Sequence, residues 1–288
     1  MSAGARIWPG WLRRWELAVL PAVLWVGVFY GYPVVGSIVA SLNSFVEPQH
    51  SGLDNYSWFF GNDVNVTVLE RTYTTAFLVT AICLLIGFPY AYLMTIVKGR
   101  WRTVMLAMVL LPLWTSLLIR SFAWIGLLQD GGPVDSVLNF VGIPHPTLVG
   151  SLTGVVIGMT QLLLPFMVLP LYTVLQRIDR SLLAAAASLG ARPATVMWKV
   201  YMPLAVPGIV AGSTLVFVLA LGFFVTPALL GSPQQSLLSQ LIVTQTSTLL
   251  AFGRAGAMSA VLLLTTVLLL GLAALFLRRA RGHHLYGD

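Results

Sequence analysis

Charge is scarce in this chain. Only 9% of its 288 residues are Asp, Glu, Lys or Arg, against about 25% in a typical soluble domain. There is one cysteine, Cys83, which excludes an intramolecular disulfide and a cysteine metal cluster. It reads as a small buried hydrophobe. No phosphate-cradling Gly-x-x-x-x-Gly-Lys-Ser/Thr occurs. No nucleophile with a base, no paired carboxylates and no His/Asp/Glu cluster is visible, so no catalytic or metal-ligating residues are assigned. His50 and His145 are far apart, and the adjacent His283 and His284 do not share a helix face. No internal repeat is found.

What fills the chain is apolar: 58% of residues are hydrophobic, in runs that exceed the roughly 18 residues of a membrane span. The fold class is all-α, a polytopic membrane protein. Six transmembrane helices are expected over 18–42, 73–97, 103–128, 148–176, 204–230 and 250–277, as one transmembrane domain over 1–288. The first run, Ala18 to Leu42, is too long for the apolar part of a secretory signal.

The few charges give an orientation. Thirteen of the sixteen Lys and Arg fall in the N-terminal tail, the loops after spans two and four, and the C-terminal tail. By the positive-inside rule those segments are cytoplasmic. Six of nine acids lie on the other side, and the spans contain no carboxylate. The net charge of +7 is therefore a topology signal and not a nucleic-acid patch.

Within the spans, Arg120 stands out, because an intramembrane charge is costly and marks a functional site. It contacts substrate or gates the pathway, or else it snorkels to the outer interface or pairs with an outer carboxylate. Arg254, at the start of span six, has the same two readings. Trp114, Thr115, Trp124, Gln161 and Thr226 complete a substrate-pathway set with Arg120. Each polar member alone serves equally as a hydrogen bond between helices. Gly150, Gly154 and Gly158 form a stripe of small residues for close packing, within the chain or on a partner. Short outer helices are expected after Gly132-Pro133, ending at Gly142, and around Leu237 to Ile242.

The longest amphipathic interruption on the basic side is Ser181 to Gly208. Asp179 or Ser181 can cap a helix, four alanines favour it, and Gly190 suits a left-handed end. Pro193 suits the first turn of a second helix, which Pro203 and Pro207 are expected to break. Ala185, Ala186, Leu189, Gly190, Ala191, Pro203, Leu204, Pro207 and Gly208 match the cytoplasmic "EAA" loop. The stretch thus resembles that loop in permease subunits of binding-protein-dependent ABC importers. The family's glutamate position is Ala184, a departure.

Gly52-Leu53-Asp54-Asn55-Tyr56 and Arg120-Ser121-Phe122-Ala123-Trp124 resemble the spermidine/putrescine branch. Asn55-Tyr56-Ser57 is a formal glycosylation sequon, without meaning in the bacterial chain that the resemblance implies. The resemblance implies a bacterial inner-membrane protein working with a second permease subunit, two ATPase subunits that bind ATP and Mg, and a periplasmic substrate-binding protein. It implies that Ala184, Ala185, Ala186, Leu189, Gly190 and Ala191 dock on the ATPase. It implies a polyamine or related amino compound as substrate, although a polycation would be expected to meet carboxylates, and the spans have none. No cofactor is expected in this chain. A self-contained secondary transporter would be expected to show intramembrane carboxylates or repeats, and a membrane-embedded enzyme a His/Asp/Glu cluster; neither pattern is seen.

Overall fold

The structure is a computed structural model that describes residues 15–43, 52–142 and 147–282. His50, His145, His283 and His284, with Arg6, Arg13 and Arg14, lie outside the described residues. Every described element is helical. In order these are α1 (Trp15–Ser41), α2 (Asp54–Phe60), α3 (Asp63–Ile96), α4 (Arg100–Leu110) with a 3-10 turn Leu111–Trp114, α5 (Leu117–Leu128) and α6 (Pro133–Val141). There follow α7 (Leu152–Leu175), α8 (Arg180–Ser188), α9 (Pro193–Val196), a π-helical turn Met197–Tyr201, α10 (Met202–Leu221), α11 (Val225–Leu230), α12 (Leu238–Ser247) and α13 (Phe252–Gly282).

Five helical segments are long and apolar enough to cross a membrane, and a sixth span exists if a bent pair counts as one. That pair is the expected third span. Its two halves meet at Thr115–Ser116 at 101°. Pro112 has no N–H to give the preceding turn, and the backbone leaves the helix at Thr115 (ψ 148°) and Ser116 (ψ 135°). The Thr115 hydroxyl donates to the Pro112 carbonyl at 2.9 Å, alongside the Thr115 N–H at 3.3 Å, and closes the end of the 3-10 turn.

The second expected span starts earlier than its apolar run. Asn62 caps α3 by accepting the Val64 N–H at 2.9 Å, so the polar segment from Asp63 to Glu70 is helix and not loop. The fourth begins at Leu152, after the Ser151 cap, which leaves Gly150 outside the helix with φ +80°. The break expected at Pro203 and Pro207 is absent: Pro193–Leu221 runs as one helical segment. The π-helical turn just ahead of Pro203 widens the hydrogen-bond ring, with Met202 N–H bonding to Met197 O, and makes room for the proline ring.

The chain divides into two compact units. The larger, Asn62–Leu241 with the residues from Thr265 on, is built on α3, α7 and α10 packed against one another. Val79, Cys83, Met94, Met159, Met167, Leu171 and Val216 form its buried core. Small residues set the spacing. A Cβ on Gly212 would stand 2.8 Å from Met167 Sδ and 3.0 Å from Met167 O. Gly212→Val should therefore overpack this core and cost about 1–3 kcal/mol, read as a lower unfolding temperature in detergent. Of the glycine stripe, Gly158 packs within the chain, where its Cβ would meet Leu230 and Thr226 of α11.

The smaller unit joins α1, α2 and the start of α13. Asn55 is buried and donates to Ser41 O (2.8 Å) and Asn43 O (3.0 Å), capping the end of α1. The sequon reading of Asn55 misses this role. Gly256 lets α13 approach α1, since a Cβ there would lie 2.6 Å from Ser37 O. The Arg254 guanidinium sits 4.5 Å over the Trp58 ring, a cation–π contact on a short helix of the same unit. That is a structural role for Arg254.

Candidate functional site: a polar seam and an exposed loop helix

Two features of the larger unit are candidates for functional chemistry. The first is a polar seam where α5, α7 and α11 meet. Ser121 of α5 and Thr226 of α11 are both buried, and their hydroxyls are 3.4 Å apart. Trp124 Nε1 lies 3.4 Å from Gln161 Oε1 of α7, the outer limit of a hydrogen bond. Arg120 is one turn from Trp124, and its Nε and Nη1 are buried without a hydrogen-bond partner. So is the Thr160 hydroxyl. A snorkelling arginine keeps its head in water, and two buried guanidinium nitrogens fit that reading poorly.

The structure thus brings Arg120, Trp124, Gln161 and Thr226 to one seam and adds Ser121. Trp114 and Thr115 are not in it. They lie at the break before α5, both exposed, Trp114 at 89%. Backbone irregularity at membrane depth is tolerated only where protein covers it or water fills a cavity.

The second feature is α8. Asp179 is its cap, with Oδ1 accepting the Ser181 N–H at 2.9 Å. The bond from the Ser181 backbone, helped by the Ser181 side chain, holds the Asp179 carboxyl below its ordinary range. The folded value is the lower one, so the cap's stabilisation is full above the unfolded value and is lost as pH falls through the folded one. Protection of the Ser181 and Leu182 amides from hydrogen exchange, taken relative to the intrinsic rate at each pH, should fall over that acidic window, and Asp179→Ala should abolish the change.

At the other end Gly190 has φ +85°. Its N–H bonds to Ala187 O (2.9 Å), and the Ala191 N–H reaches back to Ala186 O (3.2 Å). This pair of bonds is the Schellman arrangement, which needs a residue at ease in the left-handed region. Among the sequence-predicted residues, Ala184 and Ala185 are exposed, Ala186 and Ala191 are half-buried, and Leu189 is 89% exposed at the tip. No residue of α8 is buried. A groove of about 250 Å³ beside it is lined by Tyr92, Leu183, Ala187, Ala191, Pro193 and Tyr201, among others. Among the described residues no group of three His, Cys, Asp or Glu could hold a metal.

Known proteins resemble this chain along most of its length. The family described as binding-protein-dependent transport system inner membrane component matches residues 84–282. The spermidine/putrescine transport system permease protein PotB of Haemophilus influenzae is 35% identical over 67% of this chain and 68% of its own length. The Escherichia coli protein of the same name is 30% identical over 79% and 84%. The inner membrane ABC transporter permease protein YdcU of Escherichia coli is 33% identical over 75% of each. Among solved structures, a chain of a bacterial ABC transporter involved in the import of the acidic polysaccharide alginate superposes with a TM-score of 0.73. It covers 96% of this chain and 99% of that one, at 20% identity, which is a likeness of fold. With its apolar spans, its break before α5 and its exposed loop helix, the chain belongs to the binding-protein-dependent inner membrane components, the multi-pass permeases of ABC importers, and is a transport component rather than an enzyme.

Proposed function

We propose that the chain is one of two permease subunits of an ATP-driven importer, and that it passes a polyamine or related amino compound. The observation that carries the coupling part is α8: a short, stiff helix, capped at both ends, that has no fully buried residue and presents Leu189 to the outside. Through the turn at Gly190 it joins the segment Pro193–Leu221, which enters the α3–α7 core without a break. A push on α8 is therefore delivered to the spans. The π-helical turn at Met197–Tyr201 lies in that connection and is the natural point of bending.

Two ATPase subunits bind ATP and Mg, and a periplasmic binding protein delivers the solute. Both termini and α8 are cytoplasmic, on the strength of the basic asymmetry. The seam at Arg120 and the exposed break at Thr115 line the pathway, covered by the second permease subunit. Discontinuous helices at membrane depth form such sites in other transporters. The relatives named for spermidine and putrescine support an amino compound as substrate. Carboxylates for a polycation come from the binding protein or the second subunit, since the apolar runs of this chain contain none and Asp63 and Glu70 lie at the outer start of α3.

Co-expression with the ATPase subunit and uptake of labelled spermidine tests this reading. The expected result is co-purification of the ATPase and uptake that requires ATP. A chain that purifies without any ATPase and transports alone would favour a secondary transporter. Orientation is tested in Cys83→Ser by labelling Leu53→Cys and Arg192→Cys with an impermeant thiol reagent applied from the periplasmic side. Position 53 should react and position 192 should not.

A further inference from the structure

A cavity of about 330 Å³ lies where the C-terminal ends of α3 and α7 meet the start of α8 and the π-helical turn. Its polar wall is Tyr92, Thr95, Arg180 and Tyr201, and Ile96 and Ile178 are part of its apolar wall. The Arg180 side chain is exposed and tethered at one point: Nη2 donates to Thr95 O at 2.6 Å. That bond uses one of five guanidinium donors. Tyr201 is 4% exposed, and its hydroxyl is buried without a hydrogen-bond partner. The Thr95 hydroxyl lies beside it but donates its own hydrogen to the Tyr92 carbonyl at 2.7 Å. The nearest carboxylate in sequence, Asp179, is engaged at the α8 cap and is not part of the wall. Lys98, Arg100, Arg102 and Arg177 follow the same two helix ends.

A tethered guanidinium with free donors, a buried hydroxyl awaiting an acceptor and an apolar flank together suit an anionic group carried on a hydrocarbon. We propose that this cavity holds the phosphate of an anionic phospholipid from the cytoplasmic leaflet, with Arg180 as the charged partner and Tyr201 as the neutral donor. Basic pockets between helices on the cytoplasmic side of a membrane bind such headgroups. The assignment rests on the proposed function only for placing α8 on that side. The bound lipid ties the end of α3 to the start of the loop helix, so it sets the resting position of the element proposed to meet the ATPase.

The full chain, purified in dodecyl maltoside, should retain phosphatidylglycerol in preference to phosphatidylcholine when both are titrated and read by native mass spectrometry. Arg180→Gln should reduce that retention roughly tenfold, the loss expected for one charge-assisted contact. Tyr201→Phe, nearly isosteric, should reduce it several-fold and serves if Arg180→Gln fails to fold. Arg177→Gln removes the same charge outside the cavity and should behave as wild type. Equal loss in Arg177→Gln would reduce the effect to diffuse charge and overturn the site. Unchanged retention in both Arg180→Gln and Tyr201→Phe would overturn it too. Displacement of the lipid by millimolar inorganic phosphate would assign the cavity to a free anion instead. None of these readouts needs the ATPase, so the cavity can stand where the importer reading fails, and the reverse.

Discussion

Gly190→Val should leave the protein in the membrane and remove substrate-stimulated ATP hydrolysis. The substitution meets no steric obstacle, because a Cβ at position 190 has no atom within 4 Å. Its whole effect is on the backbone. At φ +85° a β-branched residue is disfavoured by about 1–2 kcal/mol or more. The Schellman turn opens, and α8 loses its fixed direction relative to the helix that starts at Pro193. Ala185→Trp acts differently. Ala185 is exposed, so a tryptophan should be tolerated in the isolated chain, but it adds bulk to a face of the nine-residue helix, about 14 Å long, that is proposed to pack closely in an ATPase groove. Both variants should reach wild-type levels in the membrane and lose ATPase association or coupled hydrolysis by tenfold or more, on the order of 1.4 kcal/mol. Ala184→Glu restores the residue usual in the family at an exposed position and should be tolerated. The corresponding measurement is co-purification with the ATPase followed by hydrolysis in the presence of loaded binding protein.

Arg120→Ala should lower transport roughly tenfold to a hundredfold without loss of expression. That range matches about 1.5–3 kcal/mol for a hydrogen bond to a charged group. Two nitrogens of the guanidinium are buried without partners, an arrangement that is costly unless something passing or docking beside it accepts their hydrogen bonds. The other residues of the seam, Trp124, Gln161 and Thr226, supply aromatic surface and neutral polar groups but no opposite charge. Removal of the charge should relieve that cost, so Arg120→Ala should be no less stable than wild type while it transports less. Uptake at the wild-type rate by Arg120→Ala would return the residue to an interfacial role.

Most of the helical framework was legible because lipid leaves a chain few choices, and apolar runs of this length become helices. The ends of α8 were legible for the same local reasons that form them: an aspartate that can accept, and a glycine that can turn left. The short helix α6 was too, with Pro133 opening it and Gly142 closing it at φ +73°. The misses share a cause. Proline was read as a local breaker, but what it does depends on its surroundings. Pro112 ends a helix that Thr115 closes onto the Pro112 carbonyl, whereas the π-helical turn before Pro203 absorbs the ring and the helix goes on. Polarity misled at α3, where the residues from Asp63 to Glu70 form helix beyond the apolar stretch, held by the Asn62 cap. Of the seam, Arg120 announced itself as a charge within an apolar run. Ser121 did not, since a single serine there reads equally as a helix-packing residue, and only the position of α11 puts it against Thr226. In the sequence Arg180 is one of the loop's basic residues and Tyr201 is unmarked. Their meeting depends on the fold of α3 and α8, and no local pattern marks it.

The central claim, that α8 is the element through which ATP hydrolysis reaches the spans, is most directly tested by cross-linking. Leu189→Cys in the Cys83→Ser background places one thiol at the exposed tip of α8. Single cysteines are then scanned along the surface groove of the partner ATPase in the assembled transporter. The account predicts a specific disulfide from position 189 whose formation arrests transport and is reversed by reductant. A complex that transports normally, in which no ATPase cysteine can be linked to position 189, would contradict it.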